Sequence, residues 1–231
     1  MQPMFNFDVS APLSVLAFVA TAALVLAAAG TALFLRARGN PYAARRVLRA
    51  AMGVGGVYGA ALVGFSAGSR EHRLGPGGRK YFCELDCHLA YSVLRTAREA
   101  ATGGARQTVD LRVWFDPATT ASGRGDGLLY PNPRSIVLVD RDGRRYAPAA
   151  QPGTLTAAGE ETWAPLTHPL RPGQSYLTRL VFDLPRDAHP DRLLLVEADP
   201  LTYLLIGHEN SLFHAQTAFE LPAEGVNREI R

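Results

Sequence analysis

Two long charge-free apolar runs constrain this chain more than any other feature. No charged residue occurs from Val9 to Leu35, and a second charge-free run extends from Ala50 to Ser69. About 20 apolar residues are enough to cross a bilayer as a helix. The pattern therefore predicts two transmembrane helices, with spans at residues 11–35 and 50–69, and places residues 1–72 in a two-helix hairpin held by the lipid bilayer.

The charges beside the two runs set the expected orientation. The short loop between the runs is rich in arginine and has no acidic residue: Arg36, Arg38, Arg45, Arg46 and Arg49. The positive-inside rule puts such a loop in the cytoplasm, so both termini are expected outside. A weaker contrary bias follows the second run: Arg70, Arg73, Arg79 and Lys80, opposed by Glu71. Residues 1–8 contain an acid and no base, unlike a cleaved signal peptide, so we expect the first span to stay attached.

The second run carries glycines at the spacing of close helix packing in membranes. They occur as Gly55-x-x-x-Gly59 and Gly64-x-x-x-Gly68. Small residues four apart let two helix backbones approach in lipid. The pattern predicts packing against the alanine-rich first helix or self-association through the second helix.

After a glycine-rich linker, residues 73–79, the pattern changes to period-two alternation. Alternation over Tyr81–Tyr91 and Val109–Phe115 is typical of half-buried strands. Further strands are expected at residues 136–139, 176–184, 193–197, 202–206 and 214–221, with an Asp-Gly hairpin turn at Asp142-Gly143. Roughly seven or eight short strands predict an all-β antiparallel sandwich over residues 80–223, followed by a tail at 224–231.

Some of these features resemble a known family. The hairpin Asp140-x-Asp142-Gly143-x-x-Tyr146, the turn Leu170-x-Pro172-Gly173 and the strand end Val181-Phe182-Asp183-Leu184-Pro185 resemble bacterial membrane-tethered immunoglobulin-like domains of unassigned function. The resemblance covers residues 80–221. It implies an immunoglobulin-like sandwich outside the bacterial cytoplasmic membrane, used for sensing, binding or complex assembly, and it supplies no catalytic residues.

The two cysteines, Cys83 and Cys87, leave three alternatives open. In a regular strand, residues four apart are about 13 Å apart, too far for a disulfide, so a bond requires a bent segment. The alternatives are such a disulfide, two buried reduced thiols, or a pair of metal ligands.

The metal alternative has a specific form. Two spans followed by an exported β-sandwich are similar to cytochrome c oxidase subunit II, whose copper centre uses Cys-x-x-x-Cys. Here the cysteines lie early in the domain, and the methionines Met1, Met4 and Met52 precede it, unlike that family. Thiolate with imidazole suits copper or zinc, so Cys83, Cys87, His208 and His214 are the candidate ligands.

The remaining motifs do not predict an enzyme. The segment from His208 to His214 has Leu212 where a zinc-protease helix needs its second histidine. Charges of both signs mix along the strands, which argues against nucleic-acid binding. Trp163 beside Glu160 and Glu161, in a segment expected to be irregular, is the candidate partner contact.

These observations predict a non-enzymatic, membrane-anchored module that binds or assembles with another membrane or envelope protein and needs no cofactor. The alternative is a copper- or zinc-binding envelope protein of respiratory or metal-handling type.

Overall fold

The computed structural model describes residues 4–83, 88–119, 125–132, 134–149, 156–158 and 161–221, with the backbone alone for 156–158 and 161–162. These residues form two compact units. The helical unit contains Phe7–Arg70 and Pro200–Ala215. The β unit contains residues 4–6, 71–199 and 216–221.

The helical unit is built on two helices, α1 (Ala11–Ala37) and α2 (Pro41–Gly68). A short turn joins them, in which Gly39 has φ +77°, a conformation that favours glycine. Asn40 caps α2 by accepting a hydrogen bond from the Ala43 N–H at 3.2 Å. Pro41 is the first residue of the helix, where its missing N–H would have no helical partner in any case. Both helices are long and apolar enough to cross a membrane.

The glycines of α2 do not pack closely against described residues. A Cβ added at Gly55, Gly59, Gly64 or Gly68 would meet nothing within 4 Å among them. Packing of these glycines against α1 is therefore not observed, and self-association through the second helix stays a prediction.

The β unit contains twelve described strands in two sheets. In chain order they are β1 (Met4–Phe5), β2 (His72–Leu74), β3 (Lys80–Phe82), β4 (Leu89–Ala101), β5 (Gly104–Phe115), β6 (Arg134–Asp140), β7 (Arg145–Tyr146), β8 (Thr156–Ala158), β9 (Glu161–Trp163), β10 (Ser175–Leu184), β11 (Pro190–Glu197) and β12 (Thr217–Glu220). The seven-stranded sheet has the order β1-β3-β4-β5-β10-β9-β8, and the five-stranded sheet has the order β2-β12-β11-β6-β7.

One hydrophobic core joins the two sheets. Its buried members include Leu111 and Phe182 from the seven-stranded sheet and Leu138, Leu193 and Phe219 from the five-stranded sheet. Alternate residues of β5, β10 and β11 face this core, as the period-two pattern predicts. The prediction of a purely antiparallel arrangement is wrong, because β1 with β3, β9 with β10, and β2 with β12 pair in parallel.

The single strand predicted over Tyr81–Tyr91 is also wrong. Residues of β3 pair antiparallel with β4, Phe82 opposite Leu89 and Lys80 opposite Tyr91, so the chain reverses between them. Inward positions are even-numbered before the reversal and odd-numbered after it. Cys83 therefore lies where a strand ends and the chain turns back.

The strand predicted at residues 202–206 is absent from the described structure. Pro200–Leu204 forms a 3₁₀ helix and belongs to the helical unit. The predicted linker 73–79 overlaps β2, and the turn proper runs from Gly75 to Gly78, whose N–H donates to the Gly75 carbonyl at 2.9 Å.

The predicted hairpin at Asp142-Gly143 is confirmed. β6 pairs with β7, and Gly143 has φ +79°. The Asp140 carboxylate accepts hydrogen bonds from the Asp142 and Arg144 backbone N–H groups at 3.0 and 2.8 Å. It also accepts from Arg144 Nε at 2.8 Å and from Tyr146 Oη at 3.1 Å. The turn is therefore held by its own side chain.

The core also contains a buried charged cluster, formed by Lys80, Arg134 and Glu197. Lys80, the chain's one lysine, is 0% exposed, and its Nζ donates to the carbonyls of Leu195 at 2.6 Å and Thr217 at 3.1 Å. Arg134 Nη1 lies 3.6 Å from Glu197 Oε1, with the two residues opposite each other on β6 and β11. Because Lys80 belongs to the seven-stranded sheet and its acceptors to the five-stranded sheet, its ammonium group ties the sheets together.

Candidate interaction face

The outer surface of the seven-stranded sheet carries both tryptophans of the chain. Trp114 lies on β5, opposite Ala90 of β4 and Ser175 of β10. Trp163 lies on β9, opposite Leu177 of β10. The strand register places both indoles on the side away from the core, because the core side chains of β5 and β10 have the other parity.

Each tryptophan is stacked with an arginine. The Arg79 guanidinium carbon lies 4.5 Å from the Trp114 ring centroid, and that of Arg179 lies 4.8 Å from the Trp163 ring. These distances are within the range of cation–π attraction, worth about 0.5–1 kcal/mol at exposed sites. We call Arg79, Arg112, Trp114, Trp163 and Arg179 the arginine–tryptophan face.

A buried carboxylate fixes one edge of this face. Asp110 is 5% exposed, and its two oxygens accept hydrogen bonds from Arg179 Nε and Nη2 at 2.7 and 3.0 Å. Arg95 Nη2 lies 3.4 Å from the same carboxylate. The hydrogen bond to Asp110 raises the pKa of Arg179, which stays charged. The bidentate pair orients the guanidinium that lies over Trp163.

The other edge of the face is open and cationic. Arg79, Arg112 and Trp114 line a groove of about 220 Å³ together with residues of β4. Arg112 is exposed, and no carboxylate among the described residues lies within ion-pair distance of it. Arginine and aromatic side chains are enriched where proteins bind one another, and the excess of positive charge suits an acidic surface.

The predicted partner contact falls partly on this face. Trp163 belongs to it, but Glu161–Trp163 is a strand rather than an irregular segment. Glu160 lies outside the described residues, as does the side chain of Glu161. The role of these three residues in partner binding stays a prediction.

Cys83 is 3% exposed and is disulfide-bonded. Its backbone N–H donates to Asn6 Oδ1 at 2.9 Å, which holds the end of β3 against the segment that follows β1. Cys87, the chain's one other cysteine, lies outside the described residues, so the Cys83–Cys87 disulfide stays a prediction.

The two candidate histidine ligands belong to the helical unit. His208 is fully buried, and its Nδ1 accepts a hydrogen bond from the Asn210 N–H at 2.9 Å, so this nitrogen carries no proton. His214 Nδ1 lies 2.7 Å from the Ala215 carbonyl, and its Nε2 lies 3.2 Å from Asp8 Oδ2. Both imidazole rings therefore have protein partners.

The described residues contain no group of three or more histidine, cysteine or acidic side chains placed to hold a metal ion. A disulfide sulfur is not a thiolate, which is the ligand form of cysteine. The proposed set of Cys83, Cys87, His208 and His214 includes a residue outside the described ranges, so the copper or zinc site stays a prediction that requires reduced thiols.

Comparisons with known proteins give little guidance. No protein-family model matches the chain, and no curated protein matches it. Among solved structures, MPT63, a secreted protein from Mycobacterium tuberculosis, matches with 12% sequence identity over 65% of this chain and 98% of that chain, with a TM-score of 0.41. A likeness at this level carries no argument about this chain.

Proposed function

We propose that this chain is a non-enzymatic, membrane-anchored binding or assembly module with no cofactor and no nucleic-acid partner. In this proposal the β unit is an immunoglobulin-like sandwich outside the bacterial cytoplasmic membrane. Its arginine–tryptophan face docks an acidic surface of another membrane or envelope protein.

The observation that carries the proposal is the pairing of both tryptophans with arginines on one outer surface. A sheet surface turned to water needs no aromatic side chains, and Trp and Arg are the residues most enriched among binding hot spots. The groove at Trp114 is smaller than the roughly 300–1,000 Å³ of small-molecule pockets. A broad, shallow cationic surface suits a protein partner better than a substrate.

Strand pairing supports the hairpin topology. Met4–Phe5, just before α1, pairs with β3, which follows α2. If both helices span the bilayer, their outer ends thus emerge on one side, opposite the arginine-rich turn. Lys80 is buried in the core and does not act as a membrane-flanking charge, which weakens the contrary charge bias.

Orientation is tested with reporter fusions after Gly39 and after Arg231. A phosphatase that is active only outside the cytoplasm is expected to be active at the second position and inactive at the first. The reverse pattern would put the β unit in the cytoplasm and remove the proposed envelope partner.

The face is tested by photo-crosslinking in cells, with a photoreactive amino acid at Arg112. The matched control position is Arg145, an exposed arginine on the five-stranded sheet. We expect a crosslinked protein from position 112 but not from position 145, and we expect Arg79→Glu to abolish it. Crosslinking that is equal at both positions, or unaffected by the charge reversal, would contradict the proposal.

Once the crosslinked protein is identified, its affinity for the purified chain is measured at several salt concentrations. Docking on a cationic face predicts that Arg112→Glu weakens binding and flattens the salt dependence. Arg145→Glu is the control with the same change in net charge, and it is expected to bind like wild type.

A further inference from the structure

The segment Pro200–Ala215 has the polarity of a membrane protein rather than of a surface loop. Its exposed side chains are large and apolar: Leu201 (57%), Tyr203 (56%), Leu204 (46%), Leu212 (53%) and Phe213 (75%). We call these five residues the apolar rim. Its buried side chains are polar apart from Leu205: Thr202, His208, Glu209, Asn210 and Ser211. In a water-exposed loop the two sets would be exchanged.

Four of the five buried polar side chains, those of Thr202, His208, Asn210 and Ser211, are hydrogen-bonded within the segment. Asn210 Nδ2 donates to Thr202 Oγ1 at 3.0 Å, and the Asn210 N–H donates to His208 Nδ1. Ser211 Oγ donates to the Leu205 carbonyl. Irregular backbone is tolerated at membrane depth where its polar groups are satisfied inside the protein. These four side chains meet that condition, and the apolar rim lies on the outside.

Two hydrogen bonds from the helices fix the segment beside the apolar spans. Tyr58 Oη donates to the Leu204 carbonyl at 2.6 Å, and Ser14 Oγ donates to the Ile206 carbonyl at 2.8 Å. Tyr58 precedes the last residue of α2, Gly68, by ten positions. At 1.5 Å per residue its Cα is about 15 Å along the axis from that end of the helix. Leu204 therefore lies alongside the apolar part of α2 rather than beyond its end.

The return of the chain is fixed at the helix ends. The Ala215 N–H donates to Ser69 Oγ at 2.8 Å, and the Asp8 N–H donates to the Gly207 carbonyl at 2.8 Å. Between these anchors Phe213 has φ +68°, an unfavourable conformation for a bulky residue. Such strain persists only where the surrounding structure enforces it, and here it accompanies an outward-facing phenyl ring.

We propose that Pro200–Ala215 inserts its apolar rim into the outer interface of the bilayer, as a third membrane contact beside the two helices. The partner of the apolar rim is lipid for two reasons. The rim continues the exposed apolar surface of helices that are long enough to span a membrane. The segment also contains a single Asp, Glu, Lys or Arg residue, Glu209, which is buried. Amphipathic segments bury their apolar side about 5–10 Å into the headgroup and acyl boundary, where tyrosine is also favoured. This inference rests on the proposed membrane anchoring.

The test uses the full chain in vesicles of phosphatidylcholine and phosphatidylglycerol, with and without bromine atoms on the acyl chains, which quench nearby tryptophan fluorescence. Three variants each add one tryptophan: Leu24→Trp within α1, Phe213→Trp in the apolar rim, and Tyr130→Trp as the control. Tyr130 is 64% exposed and lies in the β unit. The emission of Trp114 and Trp163 is measured in the wild type and subtracted, and circular dichroism checks that each variant is folded.

The added emission is expected to be quenched at positions 24 and 213 and unchanged at position 130. Bromines near the headgroup should quench position 213 more than bromines near the chain end, with the reverse order at position 24. Quenching at position 24 without quenching at 213 would overturn this inference alone. Absence of quenching at position 24 would overturn the membrane anchoring itself.

Discussion

The β unit and the helical unit place their side chains in opposite ways. In the β unit the large hydrophobic residues are buried in one core, and those that remain exposed are Phe5, Leu128 and Tyr130 among the described residues. In the helical unit large apolar side chains are exposed along both helices and the apolar rim, such as Leu24 at 60% and Phe213 at 75%. Exposure of this kind is costly in water and favourable in lipid.

The comparison also separates two uses of buried polar groups. The β unit buries full charges, Lys80, Arg134 and Glu197, in an otherwise apolar core. The helical unit buries mainly neutral polar groups, such as Ser14, which donates to the Ile206 carbonyl, and Thr202 and Asn210, whose side chains hydrogen-bond each other. The buried charges of the β unit therefore join two sheets. The buried neutral groups of the helical unit instead allow a segment without regular structure to lie against apolar helices.

The largest expected effect breaks the β unit alone. Glu197→Gln removes the negative charge that lies opposite Arg134 inside the core. Removing one partner of a buried ion pair costs about 3–5 kcal/mol. We expect the melting temperature of the β unit to fall sharply while the helical circular dichroism signal of the detergent-solubilised chain persists.

The matched control is Glu99→Gln, which neutralises an exposed carboxylate on the outer surface of β4. Exposed charges contribute little, within about 0.5 kcal/mol. A Glu197→Gln variant as stable as this control would mean that the buried charged cluster does not stabilise the β unit. Loss of the helical signal together with the β signal would mean that the two units unfold as one.

Sequence patterns predicted local structure well where the polarity of one segment alone determines its secondary structure. The two long apolar helices follow from charge-free length, and the strands around Val109–Phe115 and Tyr176–Leu184 follow from alternation, each extended by the structure. Alternation does not show where a strand reverses, since both arms of a hairpin alternate, and the reversal after Phe82 was missed for that reason. The sequence signal for the β4–β5 hairpin is the pair Gly103-Gly104, because a tight hairpin turn needs a residue with positive φ, and Gly103 has φ +86°.

The candidate sites needed information that no local pattern contains. Trp163 stands out in the sequence, but its partner Arg179 is known only from the register of β9 and β10. Lys80 resembles a membrane-flanking charge until the pairing of β3 puts it in the core. The short apolar run at residues 202–206 predicts a strand, but Pro200–Leu204 forms a 3₁₀ helix, because the length of an apolar run does not by itself determine its secondary structure.

A smaller effect on the β unit is expected from the loss of the disulfide. Cys83 is disulfide-bonded, and Cys87 is the expected partner. Closing a loop of about five residues restricts the unfolded chain and contributes about 2 kcal/mol in the chain-entropy model. Replacing both cysteines by serine should therefore lower the melting temperature of the β unit less than Glu197→Gln does.

Mass spectrometry after alkylation provides the check. Without reduction the wild type is expected to take up no alkyl group, and after reduction it should take up one at each cysteine. Two alkylated thiols without reduction would contradict the disulfide and reopen the copper or zinc alternative. The copper and zinc content of the reduced protein, compared with that of the His208→Ala variant, would then show whether the thiols bind a metal ion.

The smallest expected effect appears only in acid and concerns one hairpin of the β unit. Burial alone would raise the pKa of Asp140, but hydrogen bonds from the Arg144 backbone and side chain and from Tyr146 outweigh it and lower the pKa below 3.8. A carboxyl group with a lowered folded-state pKa contributes stability above its unfolded pKa, and this contribution is lost as the pH falls through the folded value. Asp140→Asn should therefore be less stable than wild type near neutral pH, and the two should converge in strong acid.

Melting temperatures from pH 7 down to pH 2 measure this difference, with Asp142→Asn as the control. Asp142 lies in the same turn, but its side chain is 68% exposed and contacts Arg144 Nη2 at 3.2 Å. Solvent screens that pair, so the control should follow the wild-type curve closely. A constant gap between Asp140→Asn and wild type at every pH would show that the carboxylate acts through its shape and hydrogen-bond geometry rather than its charge. If the melting temperatures of Asp140→Asn and Asp142→Asn depended on pH in the same way, Asp140 would have no special role in holding the turn.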